Sequence, residues 1–364
     1  MSQRELLMIV GPLTLGLAAL VIFLIYAAVR YAPIIGRIFE EKPLFLPLRL
    51  PAEAGGEDVE FPTEDGLQLR GTLFRTPSGR RAGTIVFCHE YLSDRWSFHS
   101  YTAGMRALGY DVFTFDFRSH GASDCEPNYR PLQWVTDHEV RDLNAALCYL
   151  RSRPDKDTTG FGLYGVSRGG GTALVVAAGA PDVWGVITDG AFPTRGTMLA
   201  YILRWAEIYV SNPWFWKLMP QWVFQYVAWA GRVRSERRLN CRYPNVETAV
   251  ARLSPRPWLM IHGEKDAYIL PSIARALFAR GGEPKELWIV PKAKHNRCRE
   301  VATEAYEERV LGFLRRFAPR PGRPPVTSQA TVAPTGSPDL HGHDSSAETP
   351  TSPTSSWIGE LATP

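Results

Sequence analysis

The chain has 364 residues, 45% of them hydrophobic and 21% charged, which is ordinary globular composition and length enough for one large α/β domain with extensions. Its net charge of +4 is mild, and no helix-turn-helix, zinc-finger or RNP-type pattern is seen, so no nucleic-acid partner is expected. Five scattered cysteines (Cys88, Cys125, Cys148, Cys241, Cys298) without a Cys-x-x-Cys read as free thiols of a reducing compartment, not as a disulfide framework or a zinc site.

Leu6 to Val29 is a run of 24 residues without a charge. As a helix it would be about 36 Å long, enough to cross the hydrocarbon core of a bilayer. A cleaved signal peptide has a shorter apolar region and ends in a small-residue cleavage site, which Ala27-Ala28-Val29-Arg30 matches poorly. Residues 1–31 are therefore read as a single-pass transmembrane anchor that meets the membrane through residues 6–29. Arg30, Arg37 and Lys42 follow the run, against Arg4 and the amino terminus, offset by Glu5, before it. The positive-inside rule then places the body of the protein in the cytoplasm, in line with the unpaired cysteines. Residues 32–57, with several prolines and a Gly-Gly, read as a linker.

Globular patterning spans 58–318. Val59-Glu60-Phe61, the turn Glu64-Asp65-Gly66 and the alternating run Leu67 to Phe74 predict a hairpin with one solvated face. Continuous apolar runs follow at Thr84–Cys88, Val112–Phe115, Phe161–Tyr164, Val183–Ile187, Trp258–Ile261 and Leu287–Val290. Helical stretches such as Val135 to Arg151 and Ala302 to Phe317 lie between or after them. Buried strands alternating with amphipathic helices predict a mostly parallel sheet covered on both faces, with ligands at the carboxyl ends of its strands. Residues of about 193–250 break the alternation. They are helical in flavour, rich in tryptophan (Trp205, Trp214, Trp216, Trp222, Trp229) and read as an inserted lid. Its aromatic residues serve to pack it on the body, to form an acyl pocket, or to dip into a membrane. Arg232, Arg234, Arg237, Arg238 and Arg242 cluster behind them, as a solvated face or as partners of anionic lipid head groups. Residues 319–364 are Pro, Ser and Thr-rich and read as a disordered tail, in which His341 and His343 lack the further ligands a metal needs.

Gly165-Val166-Ser167-Arg168-Gly169 follows the run at Phe161 and precedes a helical pattern. Gly-x-Ser-x-Gly at a strand-to-helix turn is the pattern of a nucleophile elbow, although the bare pattern also arises by chance in Gly-rich turns. A serine hydroxyl needs a base to take its proton and a carboxylate to orient that base. Asp266 falls in the loop after the strand ending at Ile261, and His295 in the loop after the strand ending at Val290. All three residues thus reach one edge of the sheet, in the order Ser, acid, His that this elbow requires. Ser167, Asp266 and His295 are the candidate catalytic residues. The backbone N–H of Arg168 is one candidate oxyanion donor. The other is expected from the loop after Cys88, which reads His89-Glu90-Tyr91-Leu92.

On these residues the region from about Val59 to Phe317 resembles the α/β-hydrolase superfamily, in its serine esterase, lipase and serine-aminopeptidase-like branch. The resemblance extends to His89, to Asp116-Phe117-Arg118-Ser119-His120-Gly121-Ala122-Ser123, which is similar to the family's D-x-R-G-x-G-x-S loop, and to His262-Gly263-x-x-Asp266. It implies that the Tyr91 N–H completes the oxyanion hole. Two departures stand out. The family's His-Gly pair is His89-Glu90 here, where glycine permits backbone angles that glutamate resists, and Ser119 replaces a glycine. The expected activity is hydrolysis of a carboxylic ester or thioester of an apolar acyl substrate through an acyl-serine, with no metal or organic cofactor. A serine peptidase, an acyltransferase and a non-catalytic membrane-tethered binding module are the alternatives. No substrate-binding residue is assigned.

Overall fold

A computed structural model describes residues 3–41, 48–79 and 81–319. The tail from 320 onward, with His341 and His343, lies outside the described residues, as do residues 42–47 of the linker.

Helix α1 (Gln3–Glu40) is followed by strands β1 (Glu57–Pro62), β2 (Gln68–Phe74) and β3 (Gly83–Cys88). Then come α2 (His99–Ala107), β4 (Tyr110–Phe115), α3 (Asp137–Ser152), β5 (Phe161–Val166), α4 (Arg168–Ala177) and β6 (Val183–Asp189). Helices α5 (Thr194–Tyr209), α6 (Pro213–Leu218), α7 (Gln221–Leu239) and α8 (Val246–Ala251) precede β7 (Trp258–Gly263). The chain continues through α9 (Pro271–Ala279), β8 (Lys285–Val290), α10 (Cys298–Val301) and α11 (Thr303–Phe317).

The strands form one eight-stranded sheet in the order β1-β2-β4-β3-β5-β6-β7-β8. Only β1/β2 and β2/β4 pair antiparallel. The others run parallel, so β3 and β5 to β8 all point their carboxyl ends to one edge. Every residue of β3, β4, β5 and β7 is buried, as continuous apolar runs between two helical layers require. One face packs on α3, α4 and α9 through Leu143, Leu147, Leu174 and Leu277. The other packs on α2 and α11 through Tyr101, Met105, Val310 and Phe313. Each such side chain contributes about 1.5–3 kcal/mol by leaving water. Four helices, α5 to α8, fill the interruption between β6 and β7.

One expectation is corrected. The sequence predicts a linker from residue 32, yet α1 continues unbroken through Pro33 to Glu40. Tertiary contacts overrule the proline. Ala27, Ile35 and Phe39 are buried with Val227, Trp134 and Tyr243, and the Trp134 indole N–H donates to the Phe39 carbonyl at 3.0 Å. That bond satisfies a carbonyl which the end of the helix leaves without a partner.

Candidate active site

Ser167 lies between β5 and α4 with φ +51° and ψ −116°, a left-handed conformation that costs a non-glycine residue about 1–3 kcal/mol. Its neighbours keep it there. The Ser167 N–H donates to the Asp189 carbonyl at 2.7 Å, and the Gly171 N–H to the Ser167 carbonyl at 3.2 Å. The turn is too tight for side chains on either side: a Cβ at Gly165 would sit 2.4 Å from the Gly169 carbonyl oxygen, and one at Gly169 would sit 2.2 Å from that of Cys88. The second contact also shows that the start of α4 lies against the end of β3. The hydroxyl-bearing residue is nearly closed off, at 6% exposure.

His295 reaches Ser167 from the loop after β8. Its Nε2 is 2.9 Å from Ser167 Oγ, and its Nδ1 is 2.6 Å from Asp266 Oδ2. The carboxylate can only accept, so Nδ1 carries the proton and Nε2 is left as the acceptor for the hydroxyl. Asp266 is itself fixed, because its Oδ1 accepts the N–H groups of Tyr268 at 2.9 Å and Ile269 at 2.8 Å. These bonds make Asp266 a turn-capping residue as well as the partner of His295.

The loop after β3 is pinned by His89. Its Nδ1–H donates to the Glu90 carbonyl at 2.8 Å, while its Nε2 accepts the Phe117 N–H at 3.1 Å. Burial, with Arg168 nearby, lowers the His89 pKa to about 3, so the ring stays neutral. The Ser93 N–H also meets the Glu90 carbonyl, at 3.3 Å. A trans peptide sets N–H opposite C=O, so holding the Glu90 carbonyl fixes the direction of the Tyr91 N–H. Arg168 is the first residue of α4, and its N–H has no acceptor within the helix. The two residues also touch: the buried Arg168 guanidinium lies over the Tyr91 ring, 5.5 Å from its centroid. That guanidinium donates to the Leu132 carbonyl at 3.0 Å and to His120 Nε2 at 3.1 Å, and it pairs with Glu139 at 3.3 Å.

Glu90, in the loop after β3, takes no strained backbone. Among the described residues of this loop, Leu92, not Glu90, has positive φ, at +62°. The Glu90 carboxyl is 1% exposed and accepts a hydrogen bond from Ser97 Oγ at 3.2 Å. Burial raises its pKa to about 7. Ser119, by contrast, does adopt a left-handed conformation, with φ +59°.

Behind Ser167, His295 and Asp266 stand His262, already noted in the His262-Gly263-x-x-Asp266 motif, and Asp189, which lies in none of the sequence motifs. His262, at the end of β7, holds its Nε2 at 2.8 Å from the Ile269 carbonyl and 3.3 Å from Asp266 Oδ2. Asp189, which ends β6, is fully buried and accepts from the Tyr306 hydroxyl at 3.0 Å. Burial raises its pKa to about 6, against bonds from Cys298 and Tyr306 and the nearby His295. An acid closing an apolar strand run was the available signal. Elsewhere, Asp65, Glu126 and His138 converge within metal-ligand distance. The Arg118 guanidinium occupies their centre, within 3.0 Å of each, so a fixed cation already serves these ligands.

The sequence model of the alpha/beta hydrolase family matches residues 85–310. The chain belongs to the α/β-hydrolase family. Among curated relatives of this hydrolase, an Arabidopsis thaliana alpha/beta hydrolase domain-containing protein, WAV2, is 25% identical over 317 residues, 85% of this chain and 93% of the relative. The Escherichia coli O157:H7 protein YfhR is 25% identical over 72% of this chain and 82% of its own length. Among solved structures, the Pyrococcus furiosus esterase Pf2001 aligns with a TM-score of 0.56 at 22% identity, covering 74% of this chain and 96% of the esterase. The last likeness concerns the fold.

Proposed function

We propose that this hydrolase is membrane-anchored and cleaves a carboxylic ester or thioester through an acyl-serine intermediate. The observation that carries the reading is the unbroken relay from Ser167 Oγ through His295 to Asp266, at 2.9 and 2.6 Å. His295 Nε2 takes the hydroxyl proton as Oγ attacks the acyl carbon. Asp266 accepts from Nδ1–H and stabilises the imidazolium. The N–H groups of Arg168 and Tyr91 meet the oxyanion of the tetrahedral intermediate. The imidazolium then returns its proton to the leaving alkoxide or thiolate, and water releases the acid by the same steps. No step calls on a metal or organic cofactor. Ser167→Ala is expected to abolish labelling by a fluorophosphonate and turnover of short p-nitrophenyl esters. Undiminished turnover sinks the proposal.

The anchor is α1, which between Val10 and Arg37 holds an 18-residue window of mean hydropathy 2.4, 6% of it buried. Arg30 and Arg37 on its carboxyl side support a cytoplasmic hydrolase domain. Protease access to the Pro-rich tail in intact cells tests that orientation. Digestion there without lysis reverses it.

A further inference from the structure

Helices α5 and α7 leave large aromatic side chains exposed. On α5, Tyr201, Trp205, Ile208 and Tyr209 recur at helical spacing along one stripe, and Ile208 and Tyr209 are 68% and 74% exposed. Trp205 and Tyr209 stack on each other at 5.7 Å. On α7, Trp222, Tyr226 and Trp229 form a second stripe, in which both tryptophans are exposed. Solvent-facing stripes of this kind mark an interaction surface.

Its neighbour identifies the occupant. Helix α7 packs parallel to the carboxyl half of α1. Arg238 pairs with Glu40, Gly231 lies so close to Ile35 that a Cβ there would approach to 2.3 Å, and the Tyr226 hydroxyl donates to the Leu24 carbonyl at 3.2 Å. Leu24 lies well inside the apolar run of α1, whose Ile22, Ile25 and Val29 are exposed beside it. Residues 221–231 of α7 carry no charge, and its charges begin at Arg232. Exposed Arg234 and Arg237 therefore sit toward the end where α1 leaves its apolar run, the level of anionic head groups. Tryptophan and tyrosine above, arginine below, is the vertical order of a membrane interface.

The stripe also leads to the reaction centre. The Tyr201 hydroxyl donates to the Tyr268 carbonyl at 2.9 Å, and the Tyr268 ring lies 6.0 Å from that of His295. Tyr268 and Leu270 are themselves exposed.

We infer that α5 to α7 are seated in the bilayer interface beside α1, and that the substrate is an acyl ester dissolved in the membrane, entering past Tyr268 from the lipid side. The inference rests on the anchored-hydrolase reading and narrows its substrate to the lipid phase. The acyl chain stays in hydrocarbon while its carbonyl reaches Ser167, and the released acid returns to the same leaflet.

The test uses the full chain in vesicles of phosphatidylcholine with a minority of phosphatidylglycerol. A nitroxide on Ile208→Cys, in a Cys125→Ser/Cys148→Ser background, is compared with one on Cys148, which is exposed beside the Arg151–Asp182 pair at the opposite edge of the sheet. Relaxation by oxygen is expected to dominate at position 208, and relaxation by an aqueous nickel chelate at 148. In parallel, Trp205→Ser/Ile208→Ser is expected to lower kcat/KM for vesicle-dissolved 4-methylumbelliferyl palmitate about tenfold relative to that for aqueous 4-methylumbelliferyl acetate. An aqueous label at 208, or an unchanged ratio, overturns the inference while the anchor and the hydrolase stand. Release of the wild-type chain by alkaline carbonate removes the anchor and the inference with it. Turnover that survives Ser167→Ala removes the hydrolase reading instead.

Discussion

Replacing Glu90 with glutamine tests how the loop after β3 accommodates a buried carboxyl. The side chain is 1% exposed, and burial moves its pKa from 4.5 to about 7. Unfolding returns it to water, where it ionises at the lower pH. Between pH 4.5 and 7 the folded chain therefore holds a proton that the unfolded chain has lost, so stability falls as pH rises through that window. Below 4.5 both states are protonated and nothing is lost. Above 7 the loss is complete, and the difference between 4.5 and about 7 corresponds to ~3 kcal/mol. Glutamine keeps an oxygen for the Ser97 hydroxyl and cannot ionise. Glu90→Gln should thus melt about 5 °C above the wild type at pH 8.5 and level with it at pH 4.5. Melting curves of the full chain in detergent at both pH values provide the assay. A stabilisation of equal size at both, or none at pH 8.5, would refute the reasoning. On the proposed function, the pH profile of ester turnover should carry the same signature. Ionised Glu90 lies one peptide from the proposed Tyr91 donor, so the variant should retain more activity than the wild type above pH 7.

Further outcomes follow from the same geometry. Asp266→Asn should lower kcat on p-nitrophenyl esters about 10³–10⁴-fold, because the amide no longer selects the Nδ1–H tautomer of His295, while the Tyr268 and Ile269 N–H groups still find an oxygen. A loss below tenfold contradicts the assigned role. Gly169→Ala sets a methyl 2.2 Å from the Cys88 carbonyl, a backbone atom that cannot yield, and should destabilise the fold by more than ~3 kcal/mol in urea titrations. Arg168→Met leaves Glu139 as a fully buried carboxylate without its cation and should cost about 3–5 kcal/mol. Arg168→Met/Glu139→Gln should recover much of that loss. If the double variant is as unstable as the sum of the singles, the pair is not coupled.

Much of the fold was legible because buried parallel strands write themselves as short apolar runs. Each expected run coincides with a strand, and the turn chemistry between β5 and α4 marked the elbow. The order of Ser167, Asp266 and His295 along the chain, each after a strand of the same sheet, brought them to one edge before any distance was known. Glu90 misled, since its backbone conformation could be judged only from the φ that the loop adopts. Leu92 absorbs the left-handed turn instead. Pro33 misled in the same way, because local propensity ends a helix there, whereas Phe39, Trp134 and Tyr243 hold it together from a distance.

Sequence by itself determined the elements and the sheet edge at which the reactive side chains gather, because period, apolar run length and turn residues are local properties of the chain. Tertiary structure alone decided what surrounds them: the buried carboxyls of Glu90 and Asp189, the His262 behind Asp266, the arginine filling the Asp65–Glu126–His138 cluster, and the seating of α7 against α1. Each depends on groups tens to hundreds of residues apart meeting within a few ångströms, and no local pattern records such a meeting.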